Sequence, residues 1–284
     1  MVLLCEWNSF LRIIPIWMRE IVDKLGKATL QELRLRVGKQ LELVCSDGCK
    51  YIDKIVSSKD IDFCINAASG YSPWSAATSA EGYITGPGGH RIGIAGDTVV
   101  IDGIVTGIRS PTMLCIRIAR DFKDISTDIP IKDSSILIIG RPGCGKTTLL
   151  RDVIRRYSNS EQGSIAVIDE RNEIFPLQLK KYCFDIGNKT DVLSGCKKKQ
   201  GIDMLLRSMS PSVIAVDEIT CADDCNTMLH AAWCGIRLFA TAHAGSLKDL
   251  LSRPVYKPII ESGIFDTLVT VYPNKTHNIE RINI

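Results

Sequence analysis

The chain has 284 residues, of which 45% are hydrophobic and 24% charged, with a formal net charge of +3. These are the proportions of a soluble globular protein long enough for two modest domains. The near-balanced charge gives no reason to invoke nucleic acid or an anionic membrane, and no apolar run approaches the roughly 18 residues of a spanning helix.

The first segment, Met1 to Trp17, is apolar but interrupted by Glu6, Asn8, Arg12 and Pro15. It lacks the basic start and clean apolar block of a secretory signal, which leaves a membrane-surface helix as the alternative to a buried one. From Phe10 to Leu25, apolar residues recur at helical spacing (Ile13, Ile14, Trp17, Met18, Ile21, Val22), with Pro15 early in the run. Glu32 to Val37 alternates apolar and polar residues, turns at Gly38-Lys39 and continues as Leu41 to Cys45, which predicts a β-hairpin. Ser58 is a candidate cap for a helix over 59–69. Strands are predicted at 83–85, 90–94 and 113–118, the first two separated by the turn Gly86-Pro-Gly-Gly89. Residues 1–121 therefore read as a small α+β domain, and the polar stretch 122–135, with Pro130, as a linker.

From residue 136 the texture changes. Strand-like runs at 136–139, 165–169, 213–217 and 237–242 alternate with helical stretches at about 146–157, 200–209, 222–234 and 246–253. Such alternation predicts βαβ units, a mostly parallel sheet and ligand chemistry at the carboxyl ends of its strands. Two final strands are predicted at 267–272 and 278–284. The fold class is α/β over 136–284, behind the smaller α+β domain.

Eleven cysteines are present, an odd number at scattered spacing, with Cys144 inside a glycine-rich loop. Reduced, cytosolic thiols fit this pattern better than a disulfide framework. The pairs Cys45/Cys49 and Cys221/Cys225 each lack a second pair at zinc spacing and read as structural.

The first βα turn carries the chemistry. Gly140-Arg141-Pro142-Gly143-Cys144-Gly145-Lys146-Thr147-Thr148 has the spacing G-x-x-x-x-G-K-T between an apolar strand and a helix. Gly140, Gly143 and Gly145 allow backbone dihedrals that bring N–H groups onto phosphate oxygens, at the positive end of the following helix. Lys146 offers a mobile cation to the outer phosphates, and the Thr147 hydroxyl a ligand for Mg²⁺. Nucleoside triphosphate and Mg²⁺ are thus the expected ligands.

Three further strand ends break their apolar pattern with polar residues: Asp169-Glu170-Arg171, Asp217-Glu218 and Thr241-Ala-His243. Asp217 follows four apolar residues and is placed to hold Mg²⁺ together with Thr147. Glu218 is placed to polarise the attacking water, and Glu170 competes for that role from the neighbouring tip. Thr241 and His243 are positioned to sense the γ-phosphate. Arg141, Arg151, Arg155 and Arg156 adjoin the loop or ride on its helix, and most read as solvated. So does the run Lys197-Lys-Lys199. In a ring, Arg91, Arg109, Arg117 or Arg120 could reach the next copy's γ-phosphate.

The segments Gly140 to Asp152, Val167 to Ile174, Asp191 to Cys196, Leu206 to Ile219 and Ala240 to Pro254 resemble the stage III sporulation protein AA family. Leu33 to Gly38, Ser69 to Ser72 and Gly82 to Gly93 extend the likeness over nearly the whole chain. That family is similar to the ATPases of type II and type IV secretion and pilus systems. The resemblance implies a RecA-like P-loop core that hydrolyses ATP with Mg²⁺, a homo-hexameric ring, and no nucleic acid. It also implies membrane channel proteins of the stage III complex as partners, and a cytoplasmic location at the mother-cell membrane facing the forespore. By the same likeness, Asp169-Glu170-Arg171 stands for the secretion ATPases' Asp box and Thr241-Ala-His243 for their His box. Two departures are visible: Gly235-Ile236 replaces a usual glycine-histidine pair, and Val216-Asp217-Glu218 a usual glycine-glutamate. A RecA-like nucleic-acid motor and an ATP-gated scaffold with little turnover are the competing functional readings.

Overall fold

The computed structural model describes residues 2–70, 82–178 and 180–282, so Tyr71 and Ser72 of the quoted motifs lie outside the described residues. Leu4–Asp121 and Pro176–Cys183 form one unit, and Phe122–Phe175 and Phe184–Ile284 belong to a second.

The first unit is built on a six-stranded antiparallel sheet. Its spatial order is Gly48–Ile55, Gln40–Cys45, Leu30–Arg36, Ile104–Arg117, Arg91–Ile101, Tyr83–Thr85. The predicted hairpin is present, with Leu33 opposite Leu43. Its alternation buries Leu33, Leu35, Leu41 and Leu43 against Phe10, Ile13, Met18, Val22 and Ile61 from the helices. The single helix predicted over Phe10–Leu25 is in fact two, Trp7–Ile13 and Ile16–Thr29. Ile14 is extended (φ −98°, ψ 150°) because the ring of Pro15 crowds the helical conformation of the residue before it. The apolar side of both helices is spent on this unit's own core, which is the face a membrane-surface helix would have offered.

Two strands are longer than their predicted runs. Arg91–Ile101 and Ile104–Arg117 form one long hairpin closed by Asp102-Gly103, both at positive φ (50° and 77°). Asp-Gly between β-branched runs is the usual two-residue turn signal, and residues 95–112 were legible on that ground. His90 is fully buried beside this sheet. It accepts from the Ala119 N–H at Nδ1 (3.0 Å), so Nε2 carries the proton and donates to the Glu6 carbonyl (3.1 Å). Burial pushes its pKa down to about 4.

The elements of the second unit are labelled here in chain order: β1 (Ile136–Gly140), α1 (Lys146–Ser158), β2 (Ile165–Asp169), β3 (Thr190–Ser194), α2 (Lys198–Ser208), β4 (Val213–Ile219), α3 (Ala222–Trp233), β5 (Arg237–Ala242), α4 (Leu247–Ser252), α5 (Lys257–Glu261), β6 (Thr267–Val271) and β7 (His277–Arg281). The sheet order is β3-β2-β4-β5-β1-β6-β7, parallel except for the antiparallel pair β6–β7. The central strands β1, β5 and β6 are mainly apolar and buried almost throughout because both of their faces are covered. Since β1 lies next to β5, and β5 next to β4, the loop after β1 opens beside the tips of those two strands. The half-exposed edge strand β3 and the short helix α5 carried no clear period and were not predicted.

Residues 122–135, read above as a linker, belong to this second unit. The Asp152 carboxylate on α1 accepts from the N–H groups of Asp124 (3.1 Å), Ile125 (2.9 Å) and Ser126 (3.0 Å). The α1 arginines are correspondingly not solvated. Arg151 and Arg155 are each 4% exposed. Arg151 donates to the Ile174 carbonyl (2.6 Å), Arg155 to Asp152 (2.9 Å), and Arg156 to the carbonyls of Ser126 and Ile129.

Candidate nucleotide site

The loop after β1 is built by three glycines with two different jobs. Gly143 (φ 73°) and Gly145 (φ 107°) take left-handed backbone conformations, as expected. Gly140 does not. It is needed for space, because a Cβ there would lie 2.5 Å from Cys144 Sγ and 2.6 Å from the Val271 carbonyl oxygen. Cys144 is buried under the loop, leaving the backbone rather than the thiol on the outside. Gly145 has no side chain to cap α1, so the orphan N–H groups of its first turn are left for an anion.

Lys146 folds back over the loop. Its Nζ donates to the carbonyls of Gly140 (3.0 Å) and Arg141 (3.2 Å) and to His243 Nδ1 (2.9 Å). Burial lowers its pKa below that of a free lysine. All three acceptors are neutral, so an incoming phosphate competes with dipoles and not with an internal carboxylate. Lys275, in the β6–β7 turn, adds a second cation by donating to the Gly143 carbonyl. The sequence reading missed it, since an Asn-Lys turn carries no functional pattern.

At the tip of β4 the ladder to β5 slips between Val216 and Ile219, and Glu218 sits at φ 55°. This bulge re-aims two consecutive acidic side chains. Asp217 accepts from the Thr147 hydroxyl at Oδ2 (2.7 Å) and from the Thr241 hydroxyl at Oδ1. The Thr241 oxygen in turn accepts from the Glu218 N–H (2.8 Å). The Thr241 hydroxyl thus faces the β4 tip. The residue is fully buried, with its hydroxyl spent on holding the β4 tip in shape.

His243 joins the loop to that tip. An ammonium only donates, so His243 Nδ1 accepts from Lys146 and Nε2–H donates to Glu218 Oε1 (2.8 Å). The other Glu218 oxygen accepts from Arg171 Nη1 (2.9 Å). Glu170 stands in the same cleft but is bound to Lys198 (2.8 Å). Only Lys197 and Lys199 of that lysine run are exposed; Lys198 is buried, contrary to the solvated reading. Asp169 turns inward to accept from the N–H groups of Glu173 (2.7 Å) and Phe175 (2.8 Å), and burial pushes its pKa up to about 6.

Within the first unit, the four candidate arginines differ in freedom. Arg120 donates to the Leu30 carbonyl, and burial lowers its pKa. Arg91 lies 4.0 Å over the Tyr83 ring. Arg109 pairs with Asp97 (2.7 Å) and Arg117 with Glu32 (3.8 Å), their side chains 70% and 63% exposed.

A family model described as Sporulation stage III, protein AA matches residues 7–281. The chain belongs to the stage III sporulation protein AA family. The stage III sporulation protein AA of Bacillus subtilis (strain 168) is 32% identical over 272 residues, covering 91% of this chain and 89% of that protein. An uncharacterised ycf45 protein of Porphyra purpurea is 24% identical over 261 residues, covering 90% of this chain and 44% of that protein. Among solved structures, the pilus retraction motor PilT with bound ADP matches at a TM-score of 0.63 and 16% identity, over 93% of this chain and 83% of that one. The Legionella pneumophila ATPase DotB matches at 0.60 and 14% identity, over 95% and 80%. This stage III sporulation protein AA family member thus has the RecA-like P-loop fold of secretion and pilus ATPases. Among the described residues, no helix is long and apolar enough to cross a membrane.

Proposed function

We propose that this chain is an Mg²⁺-dependent ATPase of the secretion type. It would work as a ring of copies, a homo-hexamer, on the cytoplasmic side of the mother-cell membrane facing the forespore, powering assembly of, or transport through, a channel there. The observation that carries the reading is the 2.7 Å contact between the Thr147 hydroxyl and Asp217, one residue along from the loop lysine. A hard cation takes oxygen ligands, and a hydroxyl and a carboxylate that already meet are a fitting pair. Thr147 and Asp217 would hold Mg²⁺, which when bound neutralises charge on the phosphate oxygens.

The chain's own groups supply the rest. Loop amides and Lys146 bind the phosphate tail, Lys146 exchanging two carbonyls and an imidazole nitrogen for anionic oxygens. Glu218 orients a water for attack on the γ-phosphorus and accepts its proton as the bond to the β-phosphate oxygen breaks. His243 and Arg171 hold that carboxylate in place. The link through His243 to Lys146 favours Glu218 over Glu170, which is committed to Lys198. For the neighbouring copy's phosphate, the exposure of Arg109 and Arg117 supports those two over Arg91 and Arg120.

Phosphate release from ATP by E218Q and E170Q tests the assignment. E218Q should lose about 10²-fold or more in turnover, the usual worth of a positioned base, with ADP affinity retained. A larger loss in E170Q would transfer the role to Glu170.

A further inference from the structure

The exposed residues Lys24, Lys50 and Lys257 pair with the carboxylates of Glu20, Asp47 and Glu261. Lys275, exposed in the β6–β7 turn, is held differently. Its Nζ donates to the Gly143 carbonyl of the phosphate loop (2.5 Å), and among the described residues no carboxylate neutralises it. The turn fixes this placement. The Tyr272 N–H donates to the Thr276 carbonyl (2.9 Å) and the Lys275 N–H to the Tyr272 carbonyl (2.9 Å). The Asn274 side chain accepts from the N–H (3.2 Å) and hydroxyl (2.7 Å) of Thr276. Lys275 itself stands at φ 68°, where glycine would close the same turn with less strain but bring no cation. Val271 at the end of β6 pairs with Gly140 at the end of β1, so turn and loop leave the sheet side by side. The lysine stem then lies along the loop: a Cβ added to Gly145 would meet its Cδ at 3.8 Å.

The direction of approach decides which phosphates this cation can serve. β5 and β6 flank β1 on opposite sides. Lys146 leans towards β5, onto His243 and through it to Glu218, the end of the site given above to the γ-phosphate. Lys275 comes from the β6 side, which leaves it the phosphates nearer the nucleoside. We propose that Lys275 is a nucleotide-binding residue: its ammonium leaves the Gly143 carbonyl for the phosphates that ATP and ADP share, and holds either nucleotide on the loop without acting in cleavage. This role rests on the nucleotide site proposed above. The exchange is favourable because a neutral carbonyl gives way to an anionic oxygen, and the charge-assisted bond is the stronger one. An interaction made equally with ATP and ADP is uniform binding, so its loss falls on KM for ATP rather than on kcat.

The test is calorimetric titration of the full chain with Mg-ADP. Lys275→Met and Lys275→Gln should each bind about tenfold more weakly than the native chain, the low end for a hydrogen bond to a charged group because the lysine is exposed. Lys275→Arg, which keeps the cation, should bind within about threefold of native, and added salt should narrow the gap between native and methionine proteins. Lys275→Gln separates the two roles open to this side chain, since it keeps a donor for the Gly143 carbonyl and removes the charge. Native ADP affinity in the glutamine variant would reduce Lys275 to a staple on the loop and overturn the proposal, as would native affinity in the methionine variant. Failure of the ATPase reading would show separately, as a native chain that binds ADP but releases no phosphate from ATP, with the Lys275 series still readable.

Discussion

Replacing Thr241 by valine isolates the hydroxyl that shapes the β4 tip. Thr241 is fully buried in β5, and valine keeps its volume, its branched Cβ and its strand preference. What disappears is a donor to Asp217 and the acceptor for the Glu218 N–H. A hydrogen bond to a charged group is worth about 1.5–3 kcal/mol, and a stranded N–H costs about 1–3 kcal/mol. Asp217 is partly exposed, so water recovers some of the first loss, and the expected destabilisation is about 2–4 kcal/mol. Turnover should fall further than stability suggests, about ten- to a hundredfold. The bonded N–H is what holds Glu218 at φ 55°, and a carboxylate displaced by about 1 Å costs that much. Thr241→Ser is the control: it keeps both bonds, loses one methyl at about 1 kcal/mol, and should retain turnover. Urea unfolding and phosphate release on the three proteins decide the matter. A valine variant as stable and as active as the serine variant would refute the role given to this hydroxyl.

The two units should respond oppositely to acid. His90 has its pKa depressed to about 4 by burial, against about 6.5 in an unfolded chain, so its contribution is full above pH 6.5 and lost as the pH falls through about 4. The loss is about 3 kcal/mol for the first unit, measurable from unfolding midpoints followed by Trp7 and Trp17 fluorescence. Asp169 has its pKa raised to about 6 by burial, so its contribution is full below about 3.8 and lost as the pH rises through about 6. Calorimetry should show the second unit weakening by about 3 kcal/mol over that interval, and Asp169→Asn flattening the trend. Gly140→Ala places a Cβ against a backbone carbonyl that cannot move aside; it should cost about 1–3 kcal/mol and weaken ADP binding, read by thermal shift and calorimetric titration.

The phosphate loop was legible in the sequence because each of its positions answers a local demand: a left-handed turn at Gly143 and Gly145, a helix opening at Lys146. The meeting of Thr147 with Asp217 followed from the parallel-sheet pattern, since the carboxyl ends of all parallel strands share one edge of the sheet and only β5 separates β1 from β4. What stayed hidden depends on neighbours distant in the chain. Three consecutive lysines look alike, yet only the one that opens α2 is buried against Glu170. Arg151 and Arg155 read as solvated because nothing in α1's own sequence shows that residues 122–129, Glu173, Ile174, Phe184 and Asp185 pack against it. A strand-end position alone does not tell whether the Thr241 hydroxyl faces the ligand or the next strand. The break at Pro15 and the Asp102-Gly103 turn are local signals that outweigh the apolar period around them.

The most direct measurement is phosphate release from Mg-ATP by the full chain beside its Lys146→Ala variant, with ADP binding followed on both. Lys146 is held by neutral acceptors, so its removal strands no buried carboxylate and the variant should unfold within about 1 kcal/mol of the native chain. Turnover in the native chain, with background release and weakened ADP binding in the folded variant, is the predicted result. Equal release by the two proteins, or a native chain that binds no nucleotide, would contradict it.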